Sequence, residues 1–260
     1  MMNHDDQVLD DPVGRSLRGR HARFARRLGR AAAYLPEAAT FSAVSADPDA
    51  AEWADLAGLI GPGELADMFS CPATPPPDWE PVFSLEGRQM IWPGTARSDG
   101  SPAETETETE TETETETETE TETETEAETE TGAGVVELGA ESVAEMLDLV
   151  ARTRPGPFWP RTHELGTYLG IRDNGRLVAM AGERLRPPGW TEISAVCTAS
   201  EARGRGHAAR LVGALVARIV ARGERPFLHV AEANTGAIAL YERLGFTTRK
   251  QVTFRGFRIP

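Results

Sequence analysis

The sequence predicts an α/β protein in which a mixed central sheet is flanked by helices. A smaller α/β region precedes it, connected by a low-complexity linker. Three observations carry this reading. After residue 134, stretches with strand and helix periodicity follow in the order β-α-β-β-β-α-β-α-β-β. A Thr-Glu tract at 104–131 separates that run from everything before it. The 260 residues are 40% hydrophobic, enough to bury a sizeable core.

The elements can be taken in order. Residues 12–30 read as a basic amphipathic helix with Leu17, His21, Phe24 and Leu28 at helical spacing, and 51–60 as a second helix. "WEPVFSLEGRQMIW" reads as a hairpin turning at Glu86-Gly87. No chemistry is apparent in this half, and its arginines read as a solvated face. The tract alternates threonine with glutamate, so an extended strand would align like charges on one face. Lacking apolar surface as well, it is expected to be disordered. The expected divisions are therefore 1–100, the linker 101–133, and 134–260.

Beyond the linker, 135–138 reads as a strand and 141–152 as a helix with Val143, Met146, Leu147 and Val150 on one face. "GTYLGIRDNGRLVAMAGERL" is two strands joined at Asn174-Gly175, a strong hairpin signal. "WTEISAVCT" adds a third strand and 206–222 a strongly amphipathic helix. "PFLHVAE" then reads as a strand, 236–244 as a short helix and "FTTRKQVTFRGFRI" as a final hairpin.

Charge and composition narrow the function classes. The net charge of −14 is dominated by the fourteen glutamates of the tract; residues 133–260 carry +6 and residues 1–103 carry −6. The C-terminal part is thus the one suited to an anion. Cys71 and Cys197 form no C-x-x-C pair, and histidines 4, 21, 163, 207 and 229 show no ligand spacing, so neither a disulfide framework nor a metal is expected. No apolar run reaches membrane-spanning length and the N-terminus lacks a secretory h-region, which predicts a cytoplasmic protein without membrane partners.

"ARGRGHAARLV", residues 202–212, places two glycines among three arginines at the start of a helix. RNA contact of the RG type would need repeated units with interleaved aromatics, and this single copy lies between a strand and a helix, so no nucleic acid is expected. Gly204-x-Gly206-x-x-Ala209 also fits a dinucleotide fingerprint, but "ASEAR" intervenes between strand and loop, and only one βαβ unit could follow. In the third reading, backbone N–H groups of 204–208 converge on a pyrophosphate at the helix N-terminus, and the glycines permit close approach.

"VCTASEARGRGHAARLV" followed by "NTGAIALYERLGF" resembles the GCN5-related N-acetyltransferase (GNAT) family, in particular its FR47-like and glycine N-acyltransferase-like branch. Arg203-x-x-Gly206-x-Ala208 is similar to the family's acetyl-CoA loop, and Asn234, Ala237, Leu240-Tyr241 and Gly245-Phe246 are similar to its second motif. The resemblance covers 135–260. It implies the GNAT fold for that part, with acetyl-CoA as co-substrate. Cofactor contacts are implied from Val196, Cys197 and Thr198, from Arg203, Gly204, Arg205, Gly206, His207 and Ala208, and from Asn234 and Ala237. Asn234 serves equally well as a helix N-cap.

The implied reaction is direct attack of a primary amine, on a small molecule or a peptide, upon the thioester carbonyl. An amine of pKa about 10.4 must lose a proton first, and the departing thiolate benefits from an acid. By resemblance Tyr241 is that acid. The resemblance also implies Glu192 as the base, because histone-type members of the family carry a glutamate at this spacing, eleven residues before Arg203; Glu183 is its rival. Strand alternation puts Glu192, Ser194, Val196 and Thr198 on one face and the Cys197 side chain on the other. Phe158 and Trp159 either line the acceptor cleft or pack a loop. An alternative function is a non-catalytic acyl-CoA-binding regulatory module whose acidic linker recruits a partner.

Overall fold

The computed structural model describes residues 4–94 and 134–260; the Thr-Glu tract and the expected linker 101–133 lie outside the described residues. The elements are α1 (Pro12–Arg18), β1 (Ala25–Leu28), β2 (Ala31–Tyr34), β3 (Ser42–Ala43), α2 (Ala50–Ile60), β4 (Leu65–Phe69) and β5 (Glu80–Ile91) before the tract. After it come β6 (Val136–Glu137), α3 (Val143–Thr153), β7 (Tyr168–Asp173), β8 (Arg176–Glu183), β9 (Trp190–Thr198), α4 (His207–Ala221), β10 (Arg225–Ala231), α5 (Thr235–Arg243) and β11 (Thr247–Arg258).

The fold is a mixed α/β sheet flanked by helices. Eight strands lie in the order β4-β11-β5-β10-β9-β8-β7-β6, with β9 and β10 parallel and the other pairs antiparallel. β1, β2 and β3 form a separate small sheet. The residues before the tract are therefore not set apart from the main sheet, because β5 lies between β10 and β11 and β4 covers the far edge of β11. Around the sheet, Leu211, Val212, Leu215 and Ile219 of α4 and Met146 and Leu149 of α3 are fully buried in one core cluster with the strand residues. A second cluster joins Leu9, Leu17, Phe24 and Phe41 to Leu185, Trp190 and Phe227, which welds the two halves together. No described helix is long and apolar enough to cross a membrane.

Three local expectations are corrected. The stretch 12–30 is not one helix. Asp11 caps α1 by accepting from the Gly14 N–H at 2.9 Å, Pro12 opens the helix, and Gly19 closes it after two turns. His21 is then free to bridge the Tyr34 hydroxyl (2.8 Å) and the Leu165 carbonyl (3.0 Å), while Ala25–Leu28 pairs as β1. Glu86-Gly87 is not a turn, because residues 80–91 run as one strand paired on both edges. The glycine answers a close approach instead: a Cβ there would sit 2.5 Å from the Phe254 ring and 2.8 Å from the Val230 carbonyl. The final "hairpin" is likewise the single strand β11, which pairs with both β4 and β5.

Because β5 fills the place between β10 and β11, a chain without the residues before the tract leaves those two strands with unpaired inner edges and lacks eleven of the seventeen described residues buried in the second core. A fragment 134–260 expressed alone is expected to lack a cooperative thermal transition by circular dichroism, whereas the full chain shows one.

Candidate active site

The site arises where two parallel neighbours part. β9 and β10 pair from Trp190↔Arg225 to Ile193↔Leu228 and no further. Beyond that point β9 bonds only to β8, and β10 continues against β5 through His229, Val230 and Ala231. The cause is a bulge in β9. Between Ser194↔Gly182 and Cys197↔Met180, three steps on β9 match two on β8, and Ala195 takes a φ of +52°, a region that a residue with a Cβ rarely occupies. The strand bends away, so residues 194–198 turn a backbone edge with no strand partner toward a cavity of about 820 Å³.

The extra residue also reverses the alternation. Gly182 and Met180 share a face, so Ser194 and Cys197 do too, and Cys197 lies on the face of Glu192 rather than the opposite one. Burial pushes its thiol up, which suits a packed side chain and not a nucleophile.

The cavity brings together most of the expected positions. Val196, Cys197, Thr198, Arg203, Ala208, Asn234, Ala237 and Tyr241 all border it. Gly204, Arg205 and Gly206 are exposed on the loop above α4, with His207 at its first helical position; none of the four borders the cavity. Gly204 (φ +79°) and Gly206 (φ +78°) both have left-handed backbones, and a Cβ at either would meet nothing within 4 Å. Glycine is thus demanded here by conformation rather than by crowding. The first-turn N–H groups of a fifteen-residue helix, uncapped by any side chain, follow directly. Arg205 pairs with Asp173 at 3.1 Å, and Asn234 does cap α5, accepting from the Ala237 N–H at 3.2 Å while also bordering the cavity.

Tyr241 is 7% exposed, and burial, with Cys197 nearby, pushes its phenol up to about 12. It is held by α5 against Phe246, ring centroids 6.0 Å apart, and stays protonated at neutral pH.

Glu192 does not border the cavity. It is wholly buried, and its two oxygens take four donors: Arg184 Nε and Nη2 at 2.8 Å each, the Leu185 N–H at 3.2 Å and His229 Nδ1 at 2.7 Å. The proton positions follow by elimination. Arg249 can only donate, at 2.8 Å, to Gln89 Oε1, so Gln89 Nε2 must donate to the Leu9 carbonyl and to His229 Nε2. His229 therefore carries its proton on Nδ1 and gives it to Glu192. Burial would raise the Glu192 carboxyl, but Arg184 and His229 overcome it and hold it at about 2. With every lone pair filled, this carboxylate is not disposed to take a proton from an amine. The rival Glu183 is equally committed, to Arg222 at 2.7 Å and the Thr167 N–H at 3.2 Å. Phe158 packs on Tyr168, Trp159 is 38% exposed, and neither borders the cavity.

Among the cavity residues that were not anticipated, three are polar and buried: Arg184, His229 and Asp67. Arg184 lies over the rings of Phe41 (4.8 Å) and Phe69 (4.7 Å), both from the half that had shown no chemistry. The signal available in the sequence was a single polar residue inside an otherwise apolar strand, as in "LADMF" and "PFLHVA".

Comparison with known proteins agrees with this geometry. The FR47-like protein family model matches residues 168–255, which hold the bulged strand, the glycine loop and Tyr241. A GNAT-family protein from Novosphingobium aromaticivorans is 34% identical over 97% of this chain and 99% of its own, with a TM-score of 0.76. A GCN5-related N-acetyltransferase from Kribbella flavida covers 100% of this chain and 97% of its own at 17% identity and a TM-score of 0.54, a likeness of fold. No curated protein matches the sequence. The architecture is that of an acyltransferase. The chain belongs to the GNAT family, and its N-terminal half is part of what it shares with the Novosphingobium relative.

Removing one partner of the buried pair would strand a charge. Glu192→Gln is expected to cost about 3–5 kcal/mol of unfolding free energy by urea titration at pH 7. Since the folded carboxyl is depressed, its stabilising contribution is complete above its ordinary value of 4.5 and is lost as pH falls toward about 2. The variant should accordingly show a flatter stability profile over that window.

Proposed function

We propose that the protein transfers an acetyl group from acetyl-CoA to a primary amine on a small molecule or peptide. The observation that carries this reading is the parting of β9 and β10. It offers the unpaired edge of residues 194–198 to an amide-bearing extended arm and leads to the glycine loop of α4. In this reading the pantetheine arm pairs with Val196, Cys197 and Thr198 as a further strand would. The pyrophosphate rests on the N–H groups of 204–208 at the positive end of the helix dipole, with Arg203 beside it. Asn234 and Ala237 border the arm from α5.

The amine lone pair attacks the thioester carbonyl, and a backbone N–H of the splayed strand steadies the oxyanion. Tyr241, kept protonated by its burial, gives its proton to the departing thiolate. Glu192 acts at one remove. By fixing Arg184 and His229 it holds the root of the splay closed, and it takes no proton itself.

Titration calorimetry with acetyl-CoA tests the binding half. Gly206→Glu forces a Cβ into a left-handed backbone and places an anion beside the pyrophosphate, and should weaken binding at least about tenfold. Free-thiol release with a panel of amines tests the chemistry. Tyr241→Phe is expected to lower kcat by about 10²- to 10⁴-fold with acetyl-CoA affinity kept. No acceptor-dependent turnover in a protein that binds acetyl-CoA tightly would count against transfer.

A further inference from the structure

The acceptor's recognition can be taken further, resting on the transferase reading just given. The cavity wall opposite the splay is built by β4 and its neighbours. Phe41, Phe69, Phe83, Leu85 and Phe254 give it an apolar surface, with Phe69 stacked on Phe254 at 4.7 Å and on Phe41 at 4.4 Å. A single carboxylate interrupts this surface. Asp67 is 7% exposed, borders the cavity and receives one side-chain hydrogen bond, from the Thr40 hydroxyl to Oδ2 at 2.7 Å.

No ion pair reaches Asp67 among the described residues. The nearby cation, Arg184, is already answered in bidentate fashion by Glu192, and His229 behind it is neutral, its ring pushed down by burial. Asp67 is thus the one carboxylate in this wall whose charge has no matched partner. Natural proteins seldom bury such a group without use.

We propose that Asp67 is the acceptor-binding and proton-accepting residue, and that the acceptor is a primary ammonium carried on an aromatic or aliphatic body seated against the phenylalanine wall. The ammonium replaces the missing counter-ion, and the apolar body covers Phe69, Phe83 and Leu85. The chemistry balances. Asp67 takes one proton from the ammonium, and the freed nitrogen lone pair forms the C–N bond as the C–S bond breaks. The nitrogen's second proton passes through Tyr241 to the thiolate, and Asp67 releases its own proton to solvent. Burial raises the Asp67 carboxyl to about 6 against the opposing pull of Thr40 and Arg184, so it is mostly ionised at neutral pH yet basic enough to accept.

A raised carboxyl also gives a signature that a structural role would not. Ionised Asp67 costs stability as pH rises from its ordinary 3.8 through 6 and above, so relieving it should not destabilise the protein at pH 7.5. The experiment is calorimetric titration of 2-phenylethylamine and its neutral analogue 2-phenylethanol into the full chain saturated with CoA, at pH 7.5 and at pH 5. Asp67→Asn keeps the shape and can still accept from Thr40.

The wild type is expected to bind the amine at least about tenfold more tightly than the alcohol at pH 7.5 and to lose that margin at pH 5. Asp67→Asn should abolish the margin, bind the alcohol unchanged and melt no lower than the wild type. An amine affinity unaffected by the substitution, or a wild type without preference for the amine, would overturn the assignment. If instead CoA itself failed to bind, the transferase reading would fall, and the same titrations without CoA would still decide whether Asp67 holds an ammonium.

Discussion

The site depends on one buried carboxylate. Glu192 stands one pair before the end of the β9/β10 ladder, and by side-chain bonds ties β9 to β10 through His229 and to the segment following β8 through Arg184. Taking a charged pair out of water is expensive, and such pairs often do no better than apolar substitutes. What this one supplies is direction. An apolar contact would tolerate sliding, whereas four donors on two oxygens fix how far the strands run together before they diverge. The bulge at Ala195 then opens a mouth whose root cannot creep.

The network also has a long reach. From Glu192 it runs through His229 and Gln89 to Arg249 and the Leu9 carbonyl, so it crosses β9, β10, β5 and β11 and touches the N-terminal segment. Arg184 meanwhile stacks on Phe41 and Phe69. The half of the chain with no motif of its own therefore walls the cavity and holds its buried polar groups in register. The dependence is mutual, because β4 and β5 have no other sheet to join.

Much of the molecule was legible because local signals agreed with the final fold. The alternation in "WTEISAVCT", the Asn174-Gly175 turn and the apolar stripe of 206–222 each name an element that forms nearly at those bounds. The glycine loop and Tyr241 were legible by pattern. Misreadings occurred where tertiary contacts override local preference. Glu86-Gly87 looks like a turn, yet its glycine serves the Phe254 ring and the Val230 carbonyl. Cys197 changes face because one extra residue enters β9, and a bulge without a glycine leaves no mark in the sequence. Glu192 was singled out by its resemblance to the family's spacing, but its four donors come from Arg184, Leu185 and His229, seven to thirty-seven residues away, and no short-range pattern announces them.

The position of β5 has a consequence for how the chain comes to be folded. Its partners are residues 227–231 and 247–258, about 140 to 180 positions further on. During synthesis the strand leaves the ribosome long before either neighbour exists, and the last strand it needs, Thr247–Arg258, follows every other element of the sheet. Contacts so remote in sequence tend to form slowly. Until they do, Val82, Phe83 and Leu85, still 40–46% exposed in the finished protein, lie on a strand with both edges bare, an invitation to pair with another nascent copy. The arrangement that gives the cavity its apolar wall thus leaves a bare apolar strand in the N-terminal half while it waits for the rest of its own sheet.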